Sequence, residues 1–186
     1  MSHEPLIVLA QFDKKDFAPD GIHNLLEKGK LDDVAEESDF YDLVPIRYDY
    51  VSEYKTEEER DEHMDTVYKD FIEESFHDGT LLFKSVGDSS DRIFTLNGSI
   101  AERFMRENVE RAAEALKEGK LTSSLYNRLF NVIWDPTIAI CQVDKKGIYW
   151  SNPFGGPYTT HRKNFIMTDA YEGAYYCVID AFDTHW

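Results

Sequence analysis

The sequence predicts a single α+β domain, in which three to four helices pack on a mixed or antiparallel sheet that ends in a C-terminal β-meander. The chain has 186 residues, an ordinary length for one domain. Apolar residues make up 42% and aromatic residues 14%, which is enough for a core and unlike a disordered chain. No linker rich in Pro, Gly or Ser interrupts residues 1–186, so we expect an acidic part (1–98) and a helical and β-meander part (99–186) within one domain.

The first elements follow from hydrophobic periodicity. A continuous apolar run predicts a buried strand over residues 5–12, and helical spacing predicts a short helix within 17–30. Residues 32–39 are mostly acidic and fit either an exposed helical turn or a loop. Residues 41–54 alternate with period two, which is typical of a strand.

The clearest helix is predicted over residues 57–76. Thr56 and Glu59 have the spacing of a capping box. One face is an apolar stripe formed by Met64, Val67, Tyr68, Phe71, Ile72 and Phe76. A hairpin with strands over 81–86 and 92–96 is expected to follow.

The second part begins with another capping box, Ser99 and Glu102, which predicts a helix that ends at Gly119. We expect its buried face to contain Ile100, Phe104, Met105, Val109, Ala112 and Leu116. A further helix is predicted over 124–134, and strands are predicted over 137–143, 148–151, 164–168 and 174–182.

The two cysteines, Cys141 and Cys177, both lie in apolar strand patterns, so we expect them in the core and reduced. The N-terminus lacks a basic segment followed by an apolar one, so no secretory signal is expected. No apolar segment is long enough to cross a bilayer. The sequence therefore predicts a cytoplasmic protein without membrane contact.

The charge is strongly uneven along the chain. The formal net charge is −16, and residues 31–78 carry 18 acids and four bases, a net charge of −14. Such a chain is a poor candidate for direct contact with nucleic-acid phosphates or an anionic membrane surface. The acidic segment fits two interpretations: a solvated surface that keeps the protein soluble, or a surface for a basic partner.

Metal and cofactor chemistry has little support in the sequence. Asp180, Asp183 and His185 are the one dense group of ligand types, but they lie at the C-terminus, where three such residues arise easily by chance. No phosphate-binding, dinucleotide-binding or nucleophile-elbow motif occurs. We therefore expect neither a metal nor a cofactor.

A small enzyme remains an alternative. Its site would lie near residues 155–163, a loop with glycines, hydroxyls and cations that could receive an anion. The catalytic candidates are His161, Arg162 and Asp180, and nothing else in the sequence supports them.

The leading hypothesis is a non-enzymatic acidic protein that binds or inhibits a basic protein through residues 31–78. Carboxylates at i, i+3, i+4 and i+7 lie about 5–6 Å apart on a helix, similar to phosphates along DNA. The most concrete form is a DNA-mimicking inhibitor of a nuclease, of the anti-defence type that phages and mobile elements encode. A self-associating structural subunit, including a homodimer, is a third alternative. The expected partner-binding residues are Asp32, Asp33, Glu36, Glu37, Glu58, Asp61, Glu62, Asp65, Asp70, Glu73 and Glu74.

Overall fold

The computed structural model of the chain describes residues 3–37, 55–74, 83–87, 92–97, 100–120, 122–123, 137–150 and 158–185. The strand expected over 41–54 and the helix expected over 124–134 lie outside the described residues. So do the C-terminal end of the helix expected over 57–76 and residues 151–157 of the loop before residue 162.

Within the described residues, seven strands form one mixed sheet. They are β1 (His3–Asp13), β2 (Phe83–Ser85), β3 (Ile93–Leu96), β4 (Thr137–Asp144), β5 (Gly147–Trp150), β6 (Tyr158–His161) and β7 (Ala174–His185). The order is β2-β3-β7-β1-β4-β5, and β6 pairs with the first half of β4. Only the β1–β4 pair is parallel in the described ladders. Strands from both halves of the sequence thus share one sheet, and the α+β prediction is confirmed.

Helices cover this sheet. They are α1 (Pro19–Glu27), α2 (Asp32–Glu37), α3 (Glu57–Glu74), α4 (Ile100–Lys117) and α5 (Arg162–Asn164), and α5 continues into a π-helical turn (Phe165–Asp169). The acidic segment after residue 31 is therefore helical at its start. No described helix is both long enough and apolar enough to cross a membrane.

Both faces of the sheet are buried, which explains the continuous apolar run in β1. Ile7 and Leu9 belong to a core that includes Phe71 of α3 and Phe165 of the π-helical turn. The alternate residues of β1 belong to a second core with Ile22 of α1. A strand covered on both faces needs apolar side chains at every position, so no alternation is visible in its sequence.

The last strand, β7, lies in the middle of the sheet. It pairs with β1 along its whole length and with β3 at Tyr176 and Cys177. A β-bulge at Ile179 interrupts the register, because Val8 pairs with Asp180 whereas Leu9 pairs with Val178. Removal of the C-terminal strand would therefore separate β3 from β1.

Two predictions about the second part are wrong. Residues 164–168 were expected to form a strand, but they are helical, since this segment turns the chain from β6 towards β7. In α4, Ala112 is buried, but Val109 and Leu116 are 59% and 62% exposed. The main described contacts of α4 are with the π-helical turn. The side chains of Ile100, Phe104 and Met105, which were also expected on the buried face, lie outside the described residues.

Candidate functional site

The acidic helix α3 begins with the predicted cap at Thr56, except that the side chain of Glu59 reaches the backbone of Lys55 and not that of Thr56. The backbone N–H of Glu59 donates to Thr56 Oγ1 at 3.2 Å, and the side chain of Glu59 accepts from the backbone N–H of Lys55 at 3.0 Å. The first turn contains Glu57, Glu58 and Glu59. Negative charge is favourable there because the N-terminal end of a helix carries partial positive charge.

The apolar side of α3 determines which way its acids point. Met64, Tyr68 and Phe71 are buried, as the apolar stripe predicted. The Tyr68 hydroxyl forms a hydrogen bond with the Ser85 hydroxyl and donates to the carbonyl of Ile93 at 3.4 Å. These contacts hold the helix against the β2–β3 hairpin and prevent it from rotating about its axis.

The predicted row of carboxylates runs along α3 beside its buried side chains. Glu58, Asp61 and Glu62 are exposed, Asp65 is half-buried, and Asp70 is exposed. Among the described residues, none of the five takes part in an ion pair. The first four span about 10 Å along the helix axis. This row is therefore a line of negative charge in which Glu58, Asp61 and Glu62 are exposed.

Helix α2 is joined to this surface by an ion pair. Asp32 Oδ1 lies 3.4 Å from Arg60 Nη2, and the two side chains are 20% and 21% exposed. Asp32 thus forms a contact within the protein, whereas the next residue, Asp33, is exposed. Arg60 is the one base among the acids at the start of α3, and it was not among the residues predicted to be functional.

Four of the predicted binding residues are described by their backbone alone. Glu36 and Glu37 lie at the end of α2, and Glu73 and Glu74 lie at the end of α3. Both helices contact β7. The structure therefore places the described part of the acidic segment around a single strand.

The structure does not bring the catalytic candidates together. Asp180 pairs with Val8, and His161 at the end of β6 pairs with Thr137. β1 and β4 lie between their strands, so the two backbones are about 14 Å apart across the sheet. Asp180 is buried and accepts the backbone N–H of Ala181 at 2.8 Å, whereas His161 is exposed and Arg162 is half-buried.

The metal candidates Asp180, Asp183 and His185 do not all lie on the same face of β7. Positions 183 and 185 pair with Pro5 and His3, and they lie on the opposite face of the strand from position 180. Within the described side chains, no group of three or more His, Cys, Asp or Glu residues could hold a metal ion.

The cysteines are buried and free, as predicted. Cys141 and Cys177 pair with Ala10 from opposite sides, so two strand spacings, about 9.6 Å, separate their backbones. That distance is too long for a disulfide. Burial raises the pKa of the Cys141 thiol to about 12, which makes it a poor nucleophile near neutral pH.

A second exposed surface lies on α4. Val109, Ala113 and Leu116 are exposed at i, i+4 and i+7, which puts them on one side of the helix.

No protein-family model, curated protein or solved structure matches this chain.

Proposed function

We propose that this is a non-enzymatic binding protein that engages a basic protein through the acidic surface of α2 and α3. In its most concrete form it is a cytoplasmic, nucleic-acid-mimicking inhibitor of a nuclease or another nucleic-acid-binding protein. The observation that carries the proposal is the open row of Glu58, Asp61 and Glu62, whose carboxylates are exposed and have no ion-pair partner among the described residues.

The rigidity of the surface supports a binding role. The buried contacts of Tyr68 and Phe71 hold α3 in one orientation, and the Arg60–Asp32 pair attaches α2 to it. A row of charges that is already in place loses little conformational freedom when a partner binds. Like charges at i and i+4 also cost helix stability, about 0.2–0.5 kcal/mol per pair, so the row is not explained by helix stability.

The charge would act mainly on the rate of association. A negative surface attracts a positive one over about 10 Å at moderate salt, and such steering raises association rates by roughly 10- to 1,000-fold. Lys and Arg side chains that bind phosphates would find carboxylates at a similar spacing on α3. Duplex DNA and this protein would then compete for the same partner surface.

The test compares two charge-reversed variants with the same change in net charge. Glu58→Lys with Glu62→Lys alters the α3 row, and Glu110→Lys with Glu114→Lys is the matched i, i+4 control on exposed residues of α4. Basic proteins captured from a lysate of the native cell would be identified by mass spectrometry. Association with each purified partner would then be measured at two ionic strengths, with and without competing duplex DNA.

We expect the α3 variant to associate about tenfold more slowly at low salt, with a flatter salt dependence. The α4 variant should behave like the wild type. Equal loss in both variants would attribute binding to net charge and contradict a specific surface. A partner that binds normally in the presence of saturating DNA would exclude the mimic form.

Self-association is a second candidate function, favoured by the exposed apolar side of α4. Val109 and Leu116 are each more than half exposed, which is unusual for large apolar side chains on the same side of one helix. Light scattering over a dilution series should show an oligomer that Val109→Lys with Leu116→Lys makes monomeric. A wild-type protein that is monomeric at every concentration would exclude this candidate.

A further inference from the structure

A cleft of about 600 Å³ opens between the α1–α2 segment and the β4–β5 turn. It lies at the carboxyl ends of β1 and β4, the one parallel pair in the described ladders. The chain leaves β1 through the loop that contains Phe17, and it leaves β4 through the turn that contains Lys145 and Lys146.

The wall of the cleft is apolar. It is formed by Phe17, Leu25, Val34, Val143 and Ile148. Val143 is buried, and the Phe17 ring packs edge-on against Phe12 with ring centroids 5.3 Å apart. Val143 belongs to the core that contains Ile22 of α1, and Phe17, Leu25 and Ile148 pack against that core.

The rim of the cleft carries charges of both signs. Three lysines line it: Lys30, Lys145 and Lys146. Lys145 Nζ lies 2.8 Å from Asp16 Oδ1 and is neutralised there. The ammonium groups of Lys30 and Lys146 take part in no ion pair within the part of the chain that the structure describes.

Two carboxylates at the rim limit how much negative charge the cleft can accept. Asp144 Oδ1 accepts the backbone N–H of Lys146 at 2.7 Å and that of Gly147 at 3.1 Å, so it is occupied in the turn. Asp33 is exposed at the edge of the cleft. Lys30 and Lys146 together carry the same charge as Asp33 and Asp144 with opposite sign, so the rim has no net charge that would hold a dianion such as a phosphate monoester. A monoanion can still pair with the lysine ammonium groups directly, because Asp144 Oδ1 is turned towards the backbone N–H groups of its own turn.

We propose that this cleft binds a small organic monocarboxylate with an apolar or aromatic body. The carboxylate would lie between Lys30 and Lys146, and the apolar body would pack on Phe17, Leu25 and Ile148. The volume falls within the roughly 300–1,000 Å³ of small-molecule sites, which combine apolar walls with a few polar groups. This site does not depend on the row of acids on α3.

The test uses naphthalene-1-carboxylate as the probe and naphthalene-1-methanol as its neutral counterpart. Binding would be measured by calorimetry and by amide chemical-shift changes in the full chain. Lys30→Gln with Lys146→Gln removes both rim cations, and Lys69→Gln with Lys117→Gln is the matched control, because both of its residues are exposed and lie outside the cleft.

We expect the carboxylate probe to shift amides of residues 30–34 and 143–148 and to bind more tightly than the alcohol. The rim variant should weaken the carboxylate about tenfold and leave the alcohol unchanged, because charge-assisted hydrogen bonds distinguish the two probes. The control variant should stay within about twofold of the wild type. Absence of shifts at these residues, or equal weakening in both variants, would overturn the proposal.

Discussion

Tyr176 is the residue at which a single substitution should test the described packing most directly. Its side chain is fully buried in the middle of β7. The ring stacks on Phe94 with centroids 5.5 Å apart and meets Phe165 edge-on at 5.2 Å, and its hydroxyl accepts the backbone N–H of Tyr171 at 3.0 Å. It thus connects β3, β7 and the π-helical turn.

Two substitutions separate the ring from the hydroxyl. Tyr176→Ala removes the whole ring and should lower the free energy of unfolding by about 3–5 kcal/mol. That is a large share of the roughly 5–15 kcal/mol that stabilises a domain. Tyr176→Phe keeps the ring and loses the hydrogen-bond acceptor, so it should cost about 1 kcal/mol.

Urea denaturation followed by far-UV circular dichroism at pH 7 measures both changes. Tyr149 on edge strand β5 is 50% exposed, so Tyr149→Ala is the matched control and should change stability by about 0.5 kcal/mol or less. If Tyr176→Ala costs no more than Tyr149→Ala, the aromatic contacts that join the π-helical turn to β7 do not exist as described.

The alkaline range gives an independent check on the same residue. Burial raises the pKa of Tyr176 above its ordinary value. The contribution of this phenol to the free energy of unfolding is therefore fully present below about pH 10. It is lost at higher pH, because the phenol ionises in the unfolded state before it ionises in the folded state. The stability advantage of wild type over Tyr176→Phe should shrink above about pH 10, by roughly 1.4 kcal/mol per pH unit. A constant difference up to pH 11 would mean that this phenol is accessible to water.

Three further outcomes are expected. Cys141 should react slowly with thiol reagents in the native protein, and rapid labelling at neutral pH would contradict this. Because the buried thiol resists ionisation up to about pH 12, Cys141→Ala should also flatten the loss of stability above about pH 9. A double-mutant cycle with Asp32→Asn and Arg60→Gln should give a coupling free energy of about 1 kcal/mol in urea denaturation, because the pair is largely but not fully buried. A coupling free energy of zero would mean that the pair does not hold α2 on α3. A chain that ends at residue 135 should show no cooperative thermal transition, because it lacks β4 and β7; a retained transition would show that the first part folds alone.

The elements that depend on contacts between near neighbours in the chain can be predicted from the sequence alone. The capping box of Thr56 and Glu59 defines the start of α3, and the spacing of Met64, Tyr68 and Phe71 defines its buried side. The exposed carboxylates follow, because they occupy the remaining side of the same helix. Helix caps and periodicity are readable from the sequence because the interacting residues lie within one or two turns of each other.

The way in which these elements combine depends on contacts between distant parts of the chain. The insertion of β7 between β3 and β1 depends on pairing between the two ends of the chain, and no local pattern encodes that pairing. Residues 164–168 contain the apolar run Phe165, Ile166 and Met167, which suits either a strand or a helix, and in the structure they form the helical connection between β6 and β7. Likewise Lys30 and Lys146 are ordinary surface lysines in the sequence. They line one cleft because the parallel pairing of β1 with β4 brings their two loops to the same edge of the sheet.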